Sequence, residues 1–281
     1  MLDKESILSN NLKANSFSTR FDLDKAFIVT LSDIHVGAGD KQYIKSIIDF
    51  ILSVPNMYVI LGGDMINNTT KTSKGCVIEE YATGQEQIKL LVEYMKPLVE
   101  QNRILAIFGG GNHERRTYND CFISIPEIVA TMLGIPDKYI PDILIGYINV
   151  KDVCYVYGVI HKHRKTKNYY EHMNCDILIL EHTHELNLTE KLVISHNKYN
   201  KTPVLKTVYE VDNGSALVIP SYAKFAGYRP LPIGCYIAEL SGKKRDITMW
   251  KDTDLYKAIK NGYKVGVNDG SDLCVTPFFW K

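Results

Sequence analysis

The chain has almost no excess of charge of either sign. Its 33 Lys and Arg stand against 32 Asp and Glu, a formal net charge of +1 over 281 residues. That balance excludes a global field drawing in nucleic acid or an anionic membrane, so any attraction for a phosphate-bearing partner has to come from the site itself. No run of about 18 apolar residues occurs, which predicts no spanning helix and no membrane partner. The stretch from Met1 to Arg20 is polar and lacks the apolar core of an export signal. The six cysteines, Cys76, Cys121, Cys154, Cys175, Cys235 and Cys274, form no CxxC pair. Three of them sit inside apolar, strand-like runs, where a free thiol packs as a small hydrophobe. A disulfide framework is therefore not expected, and the pattern suits a reducing cytoplasm. No stretch rich in Pro, Gly or Ser divides the chain, and no internal repeat or low-complexity segment is present. The expected organisation is a polar N-terminal extension over residues 1–25 and one domain over 26–281.

What is present is strand–helix alternation. Residues 26–32 form a short apolar run with β-branched members, and predict a buried strand. Over residues 40–53, Tyr43, Ile44, Ile47, Ile48, Ile51 and Leu52 recur at helical spacing behind Asp40, a good N-cap residue. A second strand runs from Met57 into Gly62-Gly63-Asp64. Ile88, Leu91, Val92 and Met95 mark an amphipathic helix over 85–101, which Pro97 is expected to end or kink. A third strand, from Arg103, enters a glycine-rich turn at 109–114, and a helix is expected over 124–134. Strands follow over 143–150, 153–160 and from Cys175 to Glu181. From about Val204 the chain reads as β, with turns at Asn213-Gly214-Ser215 and from Pro230 to Gly234. Alternation giving way to strands predicts an α/β architecture with mixed sheets.

The polar residues fall at regular places in this pattern. Asp33, Asp64, Asn112, His161 and His182 each follow directly on a predicted buried strand. Open α/β sheets bind ligands beyond the carboxyl ends of their strands, so these residues are expected on one rim.

Taken singly, Asp33-Ile34-His35 is an ordinary surface pair, and Gly62-Gly63-Asp64 an ordinary turn or helix cap. His182-Thr183-His184 is more telling, because imidazoles at i and i+2 point to the same side and serve two adjacent metals. Gly111-Asn112-His113-Glu114 is the most specific element. It joins a glycine that permits an unusual backbone to a neutral oxygen ligand, a histidine and a carboxylate. Mixed imidazole and oxygen ligands without thiolate suit Mn²⁺, Fe, Zn²⁺ or Ni²⁺.

The order DIH at 33–35, GGD at 62–64, GNHE at 111–114, strand-end His161 and EHTH at 181–184 resembles the calcineurin-like metallophosphoesterase superfamily. DNGS at 212–215 resembles a turn common in the closing strands of that family. The resemblance implies a four-layer αββα sandwich, with two central mixed β-sheets flanked by helices. It implies two divalent metal ions, for which we take Mn²⁺. One ion would be held by Asp33, His35, Asp64 and His184, the other by Asp64, Asn112, His161 and His182, with Asp64 bridging.

Three departures stand out. Glu181 replaces the usual glycine before HxH, and either faces solvent or crowds and charges the rim. Lys162 follows His161 where glycine is common, and His163 is an alternative ligand to His161. GDMINN lacks the Asp-Arg-Gly extension of the serine/threonine protein phosphatases, which argues against membership there.

A cation pair of this kind stabilises phosphoryl oxygens and supplies hydroxide near neutral pH for attack at phosphorus. The resemblance assigns His113 as the acid that protonates the leaving group or as a stabiliser of the transition state, with Asp64 and Asn112 completing the catalytic set. Glu114 either orients His113 or the turn, or starts a helix. Arg115 is either a phosphate clamp beside His113 or a solvated surface charge, and Arg116 continues the same turn. His172 and His196 lie off the strand ends and read as ordinary histidines.

Tyr222, Lys224, Phe225, Tyr228 and Arg229, with the basic run HKHRKTKNYY at 161–170, could stack bases and hold a backbone. They also read as a sheet edge and a solvated loop. The preferred expectation is a phosphodiesterase acting on a nucleotide, DNA or RNA, with a site similar to that of the double-strand-break repair nucleases. The alternatives are a phosphomonoesterase of a small metabolite or phosphoprotein, and a binding protein without catalysis. Residues 66–84, polar through Asn67, Asn68, Thr69 and Thr70, read as a mobile loop over the site.

Overall fold

The computed structural model describes residues 15–71, 73, 79–161, 173–197, 201–217, 224, 227 and 229–266. Strand β2, Lys25–Leu31, shows how the layers arise. Side chains alternate along a strand, and here both faces are apolar. Phe27, Val29 and Leu31 enter one buried cluster, Ala26 and Ile28 another. β2 pairs in parallel with β3, Met57–Leu61, which leads in parallel to β4, Ile104–Phe108, and β5, Tyr139–Ile140. On its other side β2 pairs antiparallel with β11, Tyr236–Ser241, and β11 with β12, Ile247–Lys251. The first sheet is thus mixed and six-stranded, in the order β12-β11-β2-β3-β4-β5.

The second sheet contains β1, Ser16–Phe21, β6, Leu144–Val150, β7, Val153–His161, β8, Ile177–Glu181, β9, Leu186–Asn197, and β10, Thr202–Asn213. It is also mixed, in the order β1-β6-β7-β8-β10-β9. Its Ile148, Tyr155, Tyr157, Val159 and Ile177 meet Ile28, Ile60 and Phe108 of the first sheet in one core. Five α-helices lie among the described residues: α1, Lys41–Ser53, α2, Gly84–Glu100, α3, Asn112–Cys121, α4, Ile125–Met132, and α5, Asp252–Lys260. Helices α1, α2, α4 and α5 cover the outer face of the first sheet through Ile44, Ile47, Leu91, Met95, Val129, Leu255 and Ile259. The expected α/β sandwich with two central mixed sheets is the fold observed. No described helix is long and apolar enough to cross a membrane.

Local signals explain the helix ends. Asp40 caps α1 by accepting the backbone N–H groups of Gln42 at 2.8 Å and Tyr43 at 2.9 Å. Pro97 neither ends nor visibly interrupts α2, which runs on to Glu100, because only its last turn lies beyond the proline. Helix α5 was not expected in a region that reads as β. Its signals are short: buried Leu255, Tyr256 and Ile259, acidic Asp252 and Asp254 in the first turn, and Lys257 and Lys260 in the last.

The polar extension expected over residues 1–25 is corrected in part. Ser16–Phe21 form β1, an edge strand in parallel register with β6 from Ser16↔Ile145 to Phe21↔Val150. Phe17 and Phe21 pack on the inter-sheet core while Arg20 points out to Asp152. The period-two signal is faint, because Phe17 and Phe21 are the only strongly apolar residues of the strand.

Between the sheets, the hydroxyls of Thr30 and Tyr157 lie 2.8 Å apart and are fully buried. Tyr157→Phe leaves the Thr30 hydroxyl without this partner, at a cost of about 1–3 kcal/mol. Urea denaturation is expected to show a lower midpoint at unchanged slope, and an unshifted midpoint refutes the contribution.

Candidate metal centre

The candidate ligands stand where five strands end. β2, β3 and β4 stop at Leu31, Leu61 and Phe108, just before Asp33, Asp64 and the glycine turn that delivers Asn112 to the start of α3. β7 ends on His161, and β8 ends on Glu181 ahead of His182 and His184. The rim is therefore shared between the two sheets. Beyond the regular strands the backbone stays zipped: Asp33 N–H donates to Gly63 O at 2.9 Å, and His35 N–H to Asp64 O at 3.0 Å. The DNGS turn closes the rim from the other side. Asn213 donates to Thr30 O at 2.7 Å, and Ala216 N–H donates to Asp33 O at 3.0 Å. Gly214 has φ +75°, and a Cβ there would lie 2.3 Å from Gly234 O, so this turn requires glycine.

Five of the residues at this rim hold left-handed backbone: Asp33 (φ 49°), His35 (45°), Asp64 (51°), His182 (82°) and His184 (57°). Such a conformation costs on the order of 1–3 kcal/mol per residue and persists where its surroundings over-determine it, characteristically at functional sites. Asp and His tolerate it better than most side chains. No sequence pattern announces this clustering.

The side chains gather into two adjoining groups. In one, His184 Nε2 lies 3.3 Å from Asp33 Oδ1 and 3.2 Å from His35 Nε2. In the other, His161 Nε2 lies 2.7 Å from Asn112 Oδ1, 3.2 Å from His182 Nδ1 and 3.4 Å from Asp64 Oδ2. Asp64 joins them, with ligand atoms of His35 and His113 within 4.8 Å in one set and those of His161 and His182 in another. Its Oδ1 accepts the backbone N–H of His113 at 2.8 Å, while its Oδ2 is buried with no hydrogen-bond partner. A buried acceptor without a donor is costly, and a cation facing it removes that cost. Imidazole nitrogens, carboxylate oxygens and one amide oxygen, with no thiolate, match the preferences of first-row divalent ions. The residues present fit such ions.

The electrostatics are those of a concentrated acidic and imidazole cluster. Burial raises the pKa of Asp64, but the charges of His161 and His113 outweigh it and hold the carboxyl well below the usual range. Burial disfavours charge on His161 and His184 too. There the carboxylates prevail, Asp64 lifting His161 well above the ordinary imidazole value and Asp33 raising His184. Burial together with the neighbouring imidazoles holds His35 well below that value. His182 is lowered by burial and then by His161.

Two buried carboxylates brace the cluster. Glu114 Oε2 accepts the N–H of Asp64 at 3.1 Å and its Oε1 that of Ile66 at 3.0 Å. Both readings open for Glu114 hold: it is the acid in the first turn of α3, and it braces the Asp64 turn. Burial and the Asp64 charge push its pKa up to about 8. Glu181 is buried, which rules out the solvent-facing reading. Burial, opposed by its hydrogen bond with His161, brings its pKa to about 7.

His113 is the second residue of α3. Its Nδ1–H donates to Asn67 O, and its Nε2 lies 3.8 Å from Asp64 Oδ2. Burial, against the pull of Asp64, lowers its pKa. Arg116 reaches the carbonyls of Asn67 and Asn68 at 3.2 Å each, so it braces the segment that receives His113. Asn68 in turn donates to His113 O at 2.7 Å, which ties the start of the 66–84 segment to α3. Sequence reasoning missed this brace because nothing local pairs Asn67 with a residue 46 positions away. Arg115 is exposed and lies 3.8 Å from Asp142. Lys224 is exposed and Arg229 pairs with Glu185 at 3.1 Å. Lys162, His163, His172, Tyr222, Phe225, Tyr228 and the run at 162–170 lie outside the described residues, and of His196 only its place on β9 is described.

The calcineurin-like phosphoesterase family model matches residues 28–219, more than half of the chain and the whole stretch that builds this rim. The chain belongs to that family. This calcineurin-like phosphoesterase is a hydrolase acting on phosphoester bonds, and its family works with divalent metals. No curated protein sequence matches it. Among solved structures, the phosphoesterase is similar to an archaeal phosphodiesterase at 16% identity and a TM-score of 0.42, covering 80% of this chain and 99% of that one. It is also similar to Vps29 from Entamoeba histolytica, solved with Zn²⁺, at 14% identity and a TM-score of 0.37, covering 80% and 97%. A metallophosphoesterase from Sphaerobacter thermophilus is similar at 12% identity and a TM-score of 0.36, covering 85% and 95%. At such identities and scores these likenesses bear no weight on substrate or mechanism.

Proposed function

We propose that the rim binds two divalent cations and hydrolyses phosphodiesters of nucleotides or nucleic acid. In this reading Asp33, His35, Asp64 and His184 hold one ion, and Asp64, Asn112, His161 and His182 the other, Mn²⁺ being the ion we assign. The observation that carries it is the unpartnered Asp64 Oδ2, buried where two sets of nitrogen and oxygen donors meet. Two bound cations would act as Lewis acids on the phosphoryl oxygens and lower the pKa of a water.

The chain's own residues do the rest. Asp33 fixes the entry of the His182–His184 segment, its carboxylate oxygens accepting His182 N–H at 3.1 and 3.2 Å. His113 gives its Nδ1 hydrogen to Asn67 O, so only the doubly protonated ring would carry a hydrogen on Nε2, the atom left to deliver it to the leaving oxygen. Among the described residues, the disposition of arginine near the site supports the diester. A monoester brings a second negative charge at phosphorus, for which a bidentate arginine is the usual partner. Here Arg115 faces Asp142 and Arg116 contacts the Asn67 and Asn68 carbonyls. The free core thiols of Cys175 and Cys235 support a reducing, cytoplasmic setting.

With Mn²⁺, the protein is expected to cleave bis-p-nitrophenyl phosphate faster than p-nitrophenyl phosphate. EDTA should abolish the activity and added Mn²⁺ restore it. Faster monoester turnover rejects the diester reading, and binding of oligonucleotide with no hydrolysis of any ester rejects catalysis.

A further inference from the structure

We infer that Glu181 is a positioning residue, which orients His161 and Asp64 together toward the cation they share. The inference rests on the ligand assignment above and deepens it. Neighbouring parallel strands bring the two residues side by side, because His161 pairs in register with Glu181 at the ends of β7 and β8. The Glu181 carboxylate, 1% exposed, sets its Oε2 3.2 Å from His161 Nδ1. A ring N–H directed there leaves the Nε2 lone pair facing Asn112, His182 and Asp64. A ligating histidine that hands its other ring hydrogen to a carboxylate is fixed in tautomer and orientation, and that support commonly sustains metal affinity.

The same oxygen also accepts the backbone N–H of Gly63 at 2.9 Å. Gly63 immediately precedes Asp64, so one carboxylate ties the end of the second sheet to the turn of the first that carries the shared ligand. The first sheet leaves room for it. A Cβ at Gly62 would lie 2.2 Å from Glu181 Oε1, and one at Gly63 would lie 3.0 Å from Oε2 and 2.7 Å from Gly111. The double glycine before Asp64 and the glutamate before His182 are thus complementary features of one chain.

Calorimetric titration of Mn²⁺ into the metal-stripped full chain tests this. Wild type is expected to take up two ions. Glu181→Ala should weaken the step that fills the His161 site by about 10–100-fold, and the other step, which shares only Asp64 with it, by clearly less. The isosteric Glu181→Gln, which keeps an acceptor for the ring hydrogen but not the charge, should fall between them, and it carries the test if the alanine variant does not fold. Wild-type affinity at both steps in these variants overturns the inference alone. Equal weakening of both steps in Glu181→Gln, the mark of a general loosening, overturns it as well. A wild-type protein that takes up no Mn²⁺ overturns the ligand assignment and this inference with it.

Discussion

Asp64→Asn is expected to remove cation uptake and hydrolysis together while the chain stays folded. Asp64 belongs to two donor sets, one with His35 and His113 and one with His161 and His182, and its buried Oδ2 has no hydrogen-bond partner. The amide removes the negative charge at the point where two cations would meet. Breaking a buried charge pairing from one side costs on the order of 3–5 kcal/mol, roughly two to three and a half powers of ten in binding. Asparagine is the informative replacement because it tolerates the left-handed backbone at this position, φ 51°, where alanine is strained. Its side-chain oxygen can still accept the His113 backbone N–H that Asp64 Oδ1 accepts at 2.8 Å. Elemental analysis of dialysed protein and a thermal melt followed by circular dichroism read the two effects separately. Undiminished loading of both ions would sink the proposed centre.

His113→Ala should leave both cations bound and lower kcat by about 10²–10⁴-fold, the usual contribution of a positioned acid. Its ring is held at one end by the Asn67 carbonyl, while its other nitrogen looks toward Asp64. The backbone there is unaffected by truncation, since Asn68 grips the His113 carbonyl rather than the ring. If the role is protonation of the leaving oxygen, the loss depends on the leaving group. It should be small for p-nitrophenolate, which departs without a proton, and large for the alkoxide of a dinucleotide. Comparing the two esters at saturating Mn²⁺ separates an acid from a residue that merely packs. Equal losses on both esters refute the acid role, and an unchanged kcat refutes any catalytic role.

The sequence by itself determined the strand ends, and with them where each polar residue would stand. A strand that stops at Leu31, Leu61 or Phe108 places the next polar residue on its carboxyl rim through local geometry alone. The Asp40 cap and the double histidine are legible for the same reason, since each depends on residues two to four positions apart. Short or camouflaged elements were not legible. Only two strongly apolar residues mark β1, and α3 hid in a stretch that reads as a turn.

Only the tertiary structure decided that the two sheets share one rim, that Asp64 Oδ2 is buried without a hydrogen-bond partner, and that Glu181 turns inward. Glu181 meets Gly63 from 118 residues away, and His113 meets Asn67 from 46. Contacts of that span are set by which strands pair and which faces the inter-sheet core buries. Whether a glutamate before a histidine crowds a site or steadies it depends on the space opposite it, and here a pair of glycines in the other sheet supplies that space.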